Sequence, residues 1–228
     1  MKGEGPGVRV EAAATWVALS TLFAAEEFPA EGSEGEICWR RNPLGKPYVR
    51  WHGSVAAWAE RRGRRDCHLH VSNAHDGGAH LVLAAYEESL VGLGVDVVHL
   101  PRLRRPGKEA DYLRRFARQF MAEDEWEAFA ACAAQDDIEA LRVRVAAHFS
   151  FMEALSKACG TGLRLGMGMG RATSLPRRAL GVARLEPPIP FLFGPEARRR
   201  LETLGATCWE GHWGTDGEYL VSVALLRR

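Results

Sequence analysis

The pattern of apolar positions near the start of the chain predicts a buried helix. Trp16, Leu19 and Phe23 recur at the spacing of one helical face within about residues 11–27. Pro29 ends this pattern, because proline has no amide hydrogen to donate and restricts the residue before it. We expect a buried first helix in preference to a signal peptide, since the preceding residues include acids and lack a clean basic region.

Further along the chain, short apolar or alternating runs predict strands, and longer periodic runs predict helices. The predicted strands are 36–41, 68–71, 81–86, 90–98 and 219–225. Turns or loops are expected over 42–47, 73–79, 166–170 and 214–217, and residues 180–194 are Pro-rich and broken. A helical stretch begins at about Lys108 with breaks near Glu123 and Asp136, and its last helix, 138–159, ends at Gly160. Helices and strands therefore mix along the chain, which indicates the α+β class.

Composition and charge indicate a globular protein with one large or two small domains. The chain has 228 residues, of which 46% are hydrophobic. Its 30 basic and 29 acidic side chains nearly cancel, so no overall field attracts nucleic acid or a membrane surface. The arginine clusters at 61–65 and 198–200 are expected on exposed surface. Five cysteines without a CxxC pair, and no apolar run of transmembrane length, indicate a cytoplasmic setting.

The sharpest local feature is an acid inside an apolar strand. Asp96 lies in the run Gly92–Val98, whose other residues are glycine or aliphatic. A buried, unpaired carboxylate is costly, so this acid is expected to be paired, protonated or bound to a metal. The alternative is an aspartate at the end of a strand that caps the next turn.

A second feature is the pair of Glu153 and Lys157 on the predicted helix 138–159. At a spacing of i and i+4 the two side chains share one helical face. The pair is either an ordinary surface ion pair or part of a helical face that opens into a cleft, and the apolar and small neighbours favour the cleft.

Two upstream segments complete the candidate chemistry. Basic positions flank the tight turn within Arg40–Pro47, an arrangement suited to phosphate or simply to solvated surface. The segment Val71–Gly78 combines a hydroxyl, an imidazole and two glycines, although a single loop histidine is more often structural than catalytic.

In order and separation, these segments resemble the signature of the 4'-phosphopantetheinyl transferase superfamily. The strand motif is Gly94-Val95-Asp96. The helix motif is matched by Phe149, Met152, Glu153, Ala154 and Lys157, followed by Gly160-Thr161-Gly162. The Gly45-Lys46-Pro47 turn and the Ser72/His75 segment look like the upstream motifs of the two-domain type. The segments Gly92–Leu100 and Glu153–Gly162 are also similar to single-domain holo-acyl-carrier-protein synthases.

The resemblance implies a fold of two pseudo-symmetric α/β halves with the active site in the cleft between them. Residues 1–90 would form the half that binds coenzyme A, and residues 91–228 the half that carries the metal site. The implied reaction transfers the 4'-phosphopantetheine group of coenzyme A to a serine of an acyl or peptidyl carrier protein and releases adenosine 3',5'-bisphosphate. It implies Mg²⁺ as cofactor, a monomeric enzyme, and no nucleic-acid or membrane partner.

The resemblance also implies a role for each matching side chain. Asp96 and Glu153 would hold the metal, Glu153 would act as the base, and Lys157 would contact the phosphates. The implied coenzyme A-binding residues are Arg41, Gly45, Lys46, Pro47, Ser72, His75 and Lys157. His70 is the alternative to His75, because the family's serine and histidine are not contiguous here. Basic residues placed to steer an acidic carrier are Arg102, Arg104 and Arg105.

Some positions depart from the family pattern. Val98 stands where many two-domain members have a further acid, Met152 replaces a lysine, and Phe149 replaces the usual tryptophan. These departures motivate an alternative function, a catalytically degenerate relative that binds coenzyme A or a carrier without transfer. The sequence leaves open whether the carrier serves fatty-acid synthesis, a polyketide or peptide synthetase, or lysine biosynthesis.

Overall fold

Helices and strands alternate along the chain, which confirms the predicted α+β class. The computed structural model describes residues 6–29, 36–41, 47–161, 163–164, 175–176, 180–182, 184–186 and 188–228. The helices are α1 (Pro6–Leu22), α2 (Gly53–Arg61), α3 (Glu109–Phe120), α4 (Glu123–Ala133), α5 (Ile138–Ala158) and α6 (Pro195–Leu204). The strands are β1 (Ile37–Arg41), β2 (Pro47–Trp51), β3 (Leu69–Asp76), β4 (Ala79–Tyr86), β5 (Leu90–His99), β6 (Leu163–Arg164), β7 (Leu175–Pro176), β8 (Leu180–Val182), β9 (Phe191–Phe193), β10 (Cys208–Asp216) and β11 (Tyr219–Arg227).

Strand β5 lies between a sheet, a hairpin and a helix. It pairs antiparallel with β11, which also pairs with β10, so that the sheet order is β10-β11-β5. One face of β5 packs on the β3–β4 hairpin, where Val95 and Val97 join a small apolar cluster with Ala74. The opposite face, which carries Asp96 and Val98, packs on α5. The acid thus lies between a sheet and a helix.

Two larger apolar clusters lie on either side of this strand. The cluster from the first part of the chain includes Trp16 and Leu19 of α1 and Phe23 directly after it, which are 7%, 0% and 2% exposed. The predicted buried first helix is therefore confirmed. The second cluster surrounds α5 and includes Phe151 and residues of α3, α4 and β11. The division at residue 90 and the pseudo-symmetry of the two halves stay predictions.

A buried acid ties the segment after α5 to the helices. Glu125 of α4 is fully buried, and its Oε1 lies 3.1 Å from Nδ1 of His148 on α5. The same oxygen accepts a hydrogen bond of 2.9 Å from the amide of Val182 in β8. This carboxyl thereby joins three elements that are far apart along the chain.

The prediction of a loop over residues 73–79 was mostly wrong. Strands β3 and β4 pair from Leu69 and Tyr86 down to Asp76 and Ala79, so only two residues form the turn. The turn residues Gly77 and Gly78 have φ of 55° and 87°, which glycine adopts without steric cost. Of the predicted turn 42–47, only Pro47 is described, and it begins β2. The predicted loop 166–170 lies outside the described residues.

Within the described part of the chain, no helix combines the length and the apolar character that a membrane crossing requires.

Candidate functional site

Asp96 is held by a lysine from a distant part of the chain. Asp96 is 9% exposed, and the Lys157 ammonium donates a hydrogen bond of 2.9 Å to its Oδ1. The same Nζ donates to the carbonyl oxygen of Val95, also over 2.9 Å. The aspartate is thus a paired acid inside a strand, as its burial requires.

Glu153 lies beside Asp96 without an ionic partner of its own. Its side chain has no hydrogen bond or ion pair with any residue that the structure describes. Burial, and after it the neighbouring Asp96 carboxylate, raise the pKa of Glu153 to about 7 against the opposing charge of Lys157. The predicted pair of Glu153 and Lys157 is therefore not a surface ion pair, because the lysine bonds to Asp96 instead.

The charges of this cluster do not balance when both acids are ionised. Burial raises the pKa of Asp96, while Lys157 and, more weakly, Ser150 and the backbone at Val97 oppose that rise. Two carboxylates then share one ammonium. An additional cation beside them would remove the excess negative charge, and it would stabilise the ionised form of Glu153.

Glycines on β5 allow the helix to approach closely enough to form this cluster. A Cβ atom placed on Gly94 would lie 1.7 Å from the carbonyl oxygen of Ala154, and one on Gly92 would lie 2.4 Å from that of Ala158. Any larger residue would force α5 away from β5. Gly92 and Gly94 thus allow the short distance between Asp96 and the helix that carries Glu153.

Ser72 contacts the backbone immediately before Asp96. Ser72 is 2% exposed, and its Oγ accepts a hydrogen bond of 3.0 Å from the Val95 amide. The Val95 peptide group is therefore fixed by β3 through its nitrogen, while Lys157 bonds its oxygen. A role for Ser72 in coenzyme A binding stays a prediction.

The two candidate histidines lie on opposite faces of β3. Alternation along the strand puts His70 on the same face as Ser72, and His75 on the other face. His75 is exposed, and its ring centroid lies 6.2 Å from that of His80. The structure thus does not bring His75 together with the carboxylates, and its predicted role stays a prediction.

The basic turn falls largely outside the described residues. Arg41 and Pro47 pair across β1 and β2, but nothing is described of their side chains. Gly45 and Lys46, and Gly162 after α5, lie outside the described residues. Among the downstream basic residues, Arg102 forms an ion pair of 2.6 Å with Asp76.

The residues that depart from the family pattern belong to the core. Met152 is fully buried and Val98 is 2% exposed, both within the cluster around α5. Phe149 is half-buried against Phe116 and Phe120. A lysine at position 152 or an acid at position 98 would be buried here, so these departures are consistent with the packing around them.

Sequence reasoning missed two hydroxyls near Asp96. Ser150 precedes Glu153 by one turn of α5, and Ser222 lies directly opposite Asp96 in the β5–β11 register. The inward-facing residues of β11 are otherwise Leu220, Ala224 and Leu226. A serine at an inward position of this alternating strand was the signal that could have identified Ser222.

A strand carboxylate, a helix carboxylate and a lysine at one point are suited to a substrate that carries phosphate. Hard divalent cations such as Mg²⁺ take one or two carboxylates together with phosphate and water oxygens, and an ammonium adds a point charge for the same phosphates. The geometry therefore fits phosphate chemistry.

Comparison with known proteins identifies the family. The sequence model of the 4'-phosphopantetheinyl transferase superfamily matches residues 92–224, which is more than half of the chain and includes Asp96, Glu153 and Lys157. The chain belongs to the 4'-phosphopantetheinyl transferase superfamily, and the predicted resemblance is confirmed. Residues 1–91 lie outside this match.

Individual relatives are holo-acyl-carrier-protein synthases. The holo-[acyl-carrier-protein] synthase of Photorhabdus laumondii is 29% identical over 140 residues, which are 61% of this chain and 99% of that protein. The crystal structure of the Neisseria meningitidis enzyme has 25% identity and a TM-score of 0.44 over 61% of this chain and 99% of that one. The Helicobacter pylori enzyme, solved in complex with coenzyme A, has 15% identity and a TM-score of 0.40 over 59% and 98%.

Proposed function

We propose that this protein transfers the 4'-phosphopantetheine group of coenzyme A to a serine of an acyl or peptidyl carrier protein, with release of adenosine 3',5'-bisphosphate. The observation that carries the proposal is the convergence of Asp96, Glu153 and Lys157 inside the region that matches the family. In the reaction, the serine oxygen forms a bond to the β-phosphorus of the pyrophosphate, and the bond from that phosphorus to the bridging oxygen breaks.

The residues present fit a Mg²⁺ ion. No group of three or more metal-binding side chains occurs among the described residues, so two carboxylates with phosphate and water oxygens would have to suffice, which is the coordination that Mg²⁺ accepts. When bound, the ion would neutralise the pyrophosphate and fix its geometry. Asp96 and Glu153 would hold it.

Glu153 is the side chain best suited to accept the serine proton. A general base works best when its pKa lies near the working pH. Without a bound cation, burial with the Asp96 charge brings the pKa of Glu153 to about 7, and a cation would favour the ionised form that accepts a proton. Its carboxylate has no hydrogen bond to a described residue that would compete for the proton. General-base assistance of this kind contributes about 10²–10⁴ in rate.

Lys157 is oriented toward the substrate phosphates by its own bonds. Nζ donates to the Asp96 carboxylate and to the Val95 carbonyl, each over 2.9 Å. These two acceptors fix the ammonium at the site while its side chain stays 30% exposed. The remaining N–H group can then meet the negative charge that develops on the leaving adenosine bisphosphate.

Binding of coenzyme A and the carrier is assigned to the predicted residues. Arg41, Lys46 and the segment with Ser72 and either His70 or His75 would hold the nucleotide end of coenzyme A by charge-assisted hydrogen bonds. The carrier partner is expected to be acidic, with Arg102, Arg104 and Arg105 as the basic residues that attract it. We place the protein in the cytoplasm as a monomer.

Mass spectrometry of a panel of apo-carrier proteins tests the proposal. Each carrier is incubated with the protein, coenzyme A and Mg²⁺, and the expected result is a mass gain of one phosphopantetheine on at least one carrier. The carrier that gains the group identifies the substrate class.

Variants of the two acids test the site itself. Asp96→Ala and Glu153→Ala are each expected to abolish Mg²⁺-dependent labelling, while Glu196→Ala, which changes an exposed acid at the start of α6, serves as the matched control and keeps full activity. Full labelling by either site variant would refute the assignment of these carboxylates.

The alternative function is a relative that binds without transfer. The burial of Met152, at a position where the family has a lysine, motivates it because one cation of the family's phosphate-binding set is missing. Calorimetry that detects coenzyme A binding, together with no release of adenosine 3',5'-bisphosphate in the presence of Mg²⁺, would favour this alternative.

A further inference from the structure

Ser222 is a buried hydroxyl placed directly across from Asp96. The two residues are partners in the antiparallel register of β11 and β5, so their side chains project to the same face with Cβ atoms about 5 Å apart. Ser222 is 0% exposed, and its Oγ has no hydrogen-bond partner among the described residues. An unpartnered buried hydroxyl is unfavourable, which calls for a reason for its presence.

Ser150 is a second buried hydroxyl next to the same carboxyl. It lies on α5 one turn before Glu153 and is 0% exposed. Its side chain is close enough to Asp96 to favour the charged carboxylate, yet its Oγ makes no hydrogen bond of normal geometry with the described part of the chain. Helix and strand therefore each direct one hydroxyl to the space around Asp96.

The Asp96 carboxylate has one firm ionic bond. Lys157 Nζ contacts Oδ1, while Ser150 and the backbone at Val97 favour the charged carboxylate more weakly. Val98, the next residue on this face of β5, contributes only apolar surface. Because the hydrogen of a serine hydroxyl rotates freely to suit its acceptor, a hydroxyl that faces this carboxylate is able to donate to it.

We propose that Ser150 and Ser222 are positioning residues that donate hydrogen bonds to the Asp96 carboxylate and fix its orientation toward a divalent cation shared with Glu153. The proposal rests on the function proposed above and names residues that support its metal site. Neither hydroxyl contacts the reacting atoms. Residues that orient a metal ligand typically change metal affinity or activity by about 10–100-fold when they are removed.

The test measures divalent cation binding without turnover. Mn²⁺, as a spectroscopic substitute for Mg²⁺, is titrated by electron paramagnetic resonance into the full-length protein with coenzyme A present and no carrier. Ser150→Ala and Ser222→Ala are each expected to weaken Mn²⁺ binding by about 10-fold or more, and Ser222→Thr, which keeps the hydroxyl, is expected to bind nearly as the wild type does. The Mg²⁺ concentration for half-maximal transfer should rise in parallel, with the rate at saturating Mg²⁺ preserved.

A matched control separates this role from general packing. Ser156→Ala removes another fully buried hydroxyl from α5, one that donates to the Glu153 carbonyl, and it should leave Mn²⁺ affinity unchanged. In EDTA, Ser222→Ala should still unfold cooperatively, which shows that the variant keeps its fold. If Ser222→Ala does not unfold cooperatively, Ser150→Ala and Ser222→Thr decide the question.

Two results are distinguishable. In the first, the wild type binds Mn²⁺ in a manner that depends on Asp96, and both alanine variants bind it with affinities within twofold of the wild type. This result, or equal weakening by Ser156→Ala, would overturn the positioning role and leave the proposed function intact. No Asp96-dependent Mn²⁺ binding by the wild type would overturn the metal site of the proposed function itself.

Discussion

The protonation of Glu153 should make the stability of the protein depend on pH. Burial and the Asp96 charge raise the pKa of Glu153 from its ordinary value of 4.5 to about 7. Between these values the native state holds a proton that the unfolded state releases, so the free energy of unfolding falls as the pH rises. Glu153→Gln removes this titration and should remove the associated loss of stability.

The expected size of the effect follows from the pKa. A pKa raised from 4.5 to about 7 corresponds to about 3 kcal/mol of destabilisation at high pH, at about 1.4 kcal/mol per pH unit. Between about pH 5 and about pH 8, roughly 2.5 kcal/mol of this difference should appear, most of it before pH 7. That is a sizeable share of a total stability of about 5–15 kcal/mol.

Urea unfolding of the wild type and Glu153→Gln across this pH range, in EDTA, measures the effect. The relevant quantity is how the difference in unfolding free energy between the two proteins changes with pH. A constant offset in that difference also includes the effect of the new amide at a half-buried site. Glu87→Gln is the matched control. The Ser89 hydroxyl and Arg227 lower the pKa of Glu87 below 4.5, so its difference from the wild type should be flat over the same range.

A difference between wild type and Glu153→Gln that stays constant from about pH 5 to about pH 8 would refute the reasoning. It would mean that Glu153 is ionised throughout this range in the native protein and is not a base with a pKa near neutrality. Mg²⁺ with coenzyme A should reduce the pH dependence of the wild type, because a cation beside the carboxylates stabilises their charged forms.

Three further changes test the packing and charges around the site. Gly94→Ala places a Cβ atom 1.7 Å from the Ala154 carbonyl and should lower the free energy of unfolding by about 3 kcal/mol or more in urea titrations; wild-type stability would contradict the close approach of β5 and α5. Lys157→Met removes the ammonium that bonds Asp96 and should slow carrier labelling about 10²–10³-fold while cooperative unfolding persists; labelling within a few-fold of wild type would exclude Lys157 from the phosphates. Glu125→Ala removes the acceptor that joins α4, α5 and β8 and should lower the free energy of unfolding by about 3 kcal/mol. Circular dichroism melting would detect this loss, and an unchanged melting temperature would contradict it.

Local sequence patterns were enough to predict the elements that carry the chemistry. The alternating and periodic apolar positions predicted β5 and α5, and the stop at Gly160 agrees with its φ of 70°. An acid in an apolar strand, and a glutamate and lysine one turn apart on a helix, identified Asp96, Glu153 and Lys157. These features are local, since periodicity and i,i+4 spacing depend only on nearby residues.

Local polarity misled the prediction where tertiary pairing compensates for it. The polar residues around Asn73 and His75 suggested a loop, but they continue β3 because β4 satisfies their backbone hydrogen-bonding groups. Turn chemistry then acts only at Gly77 and Gly78. A residue's own polarity does not reveal whether a partner strand lies beside it.

The interactions among the site residues, in contrast, follow from the folded arrangement of the chain. Lys157 bonds to Asp96, 61 positions away along the chain, and not to Glu153 one turn away. The near-neutral pKa of Glu153 and the hydroxyl of Ser222 opposite Asp96 likewise depend on which elements meet at β5. Desolvation and Coulomb interactions are set by distances in space, and those distances exist only once the glycines of β5 have let α5 pack against the strand.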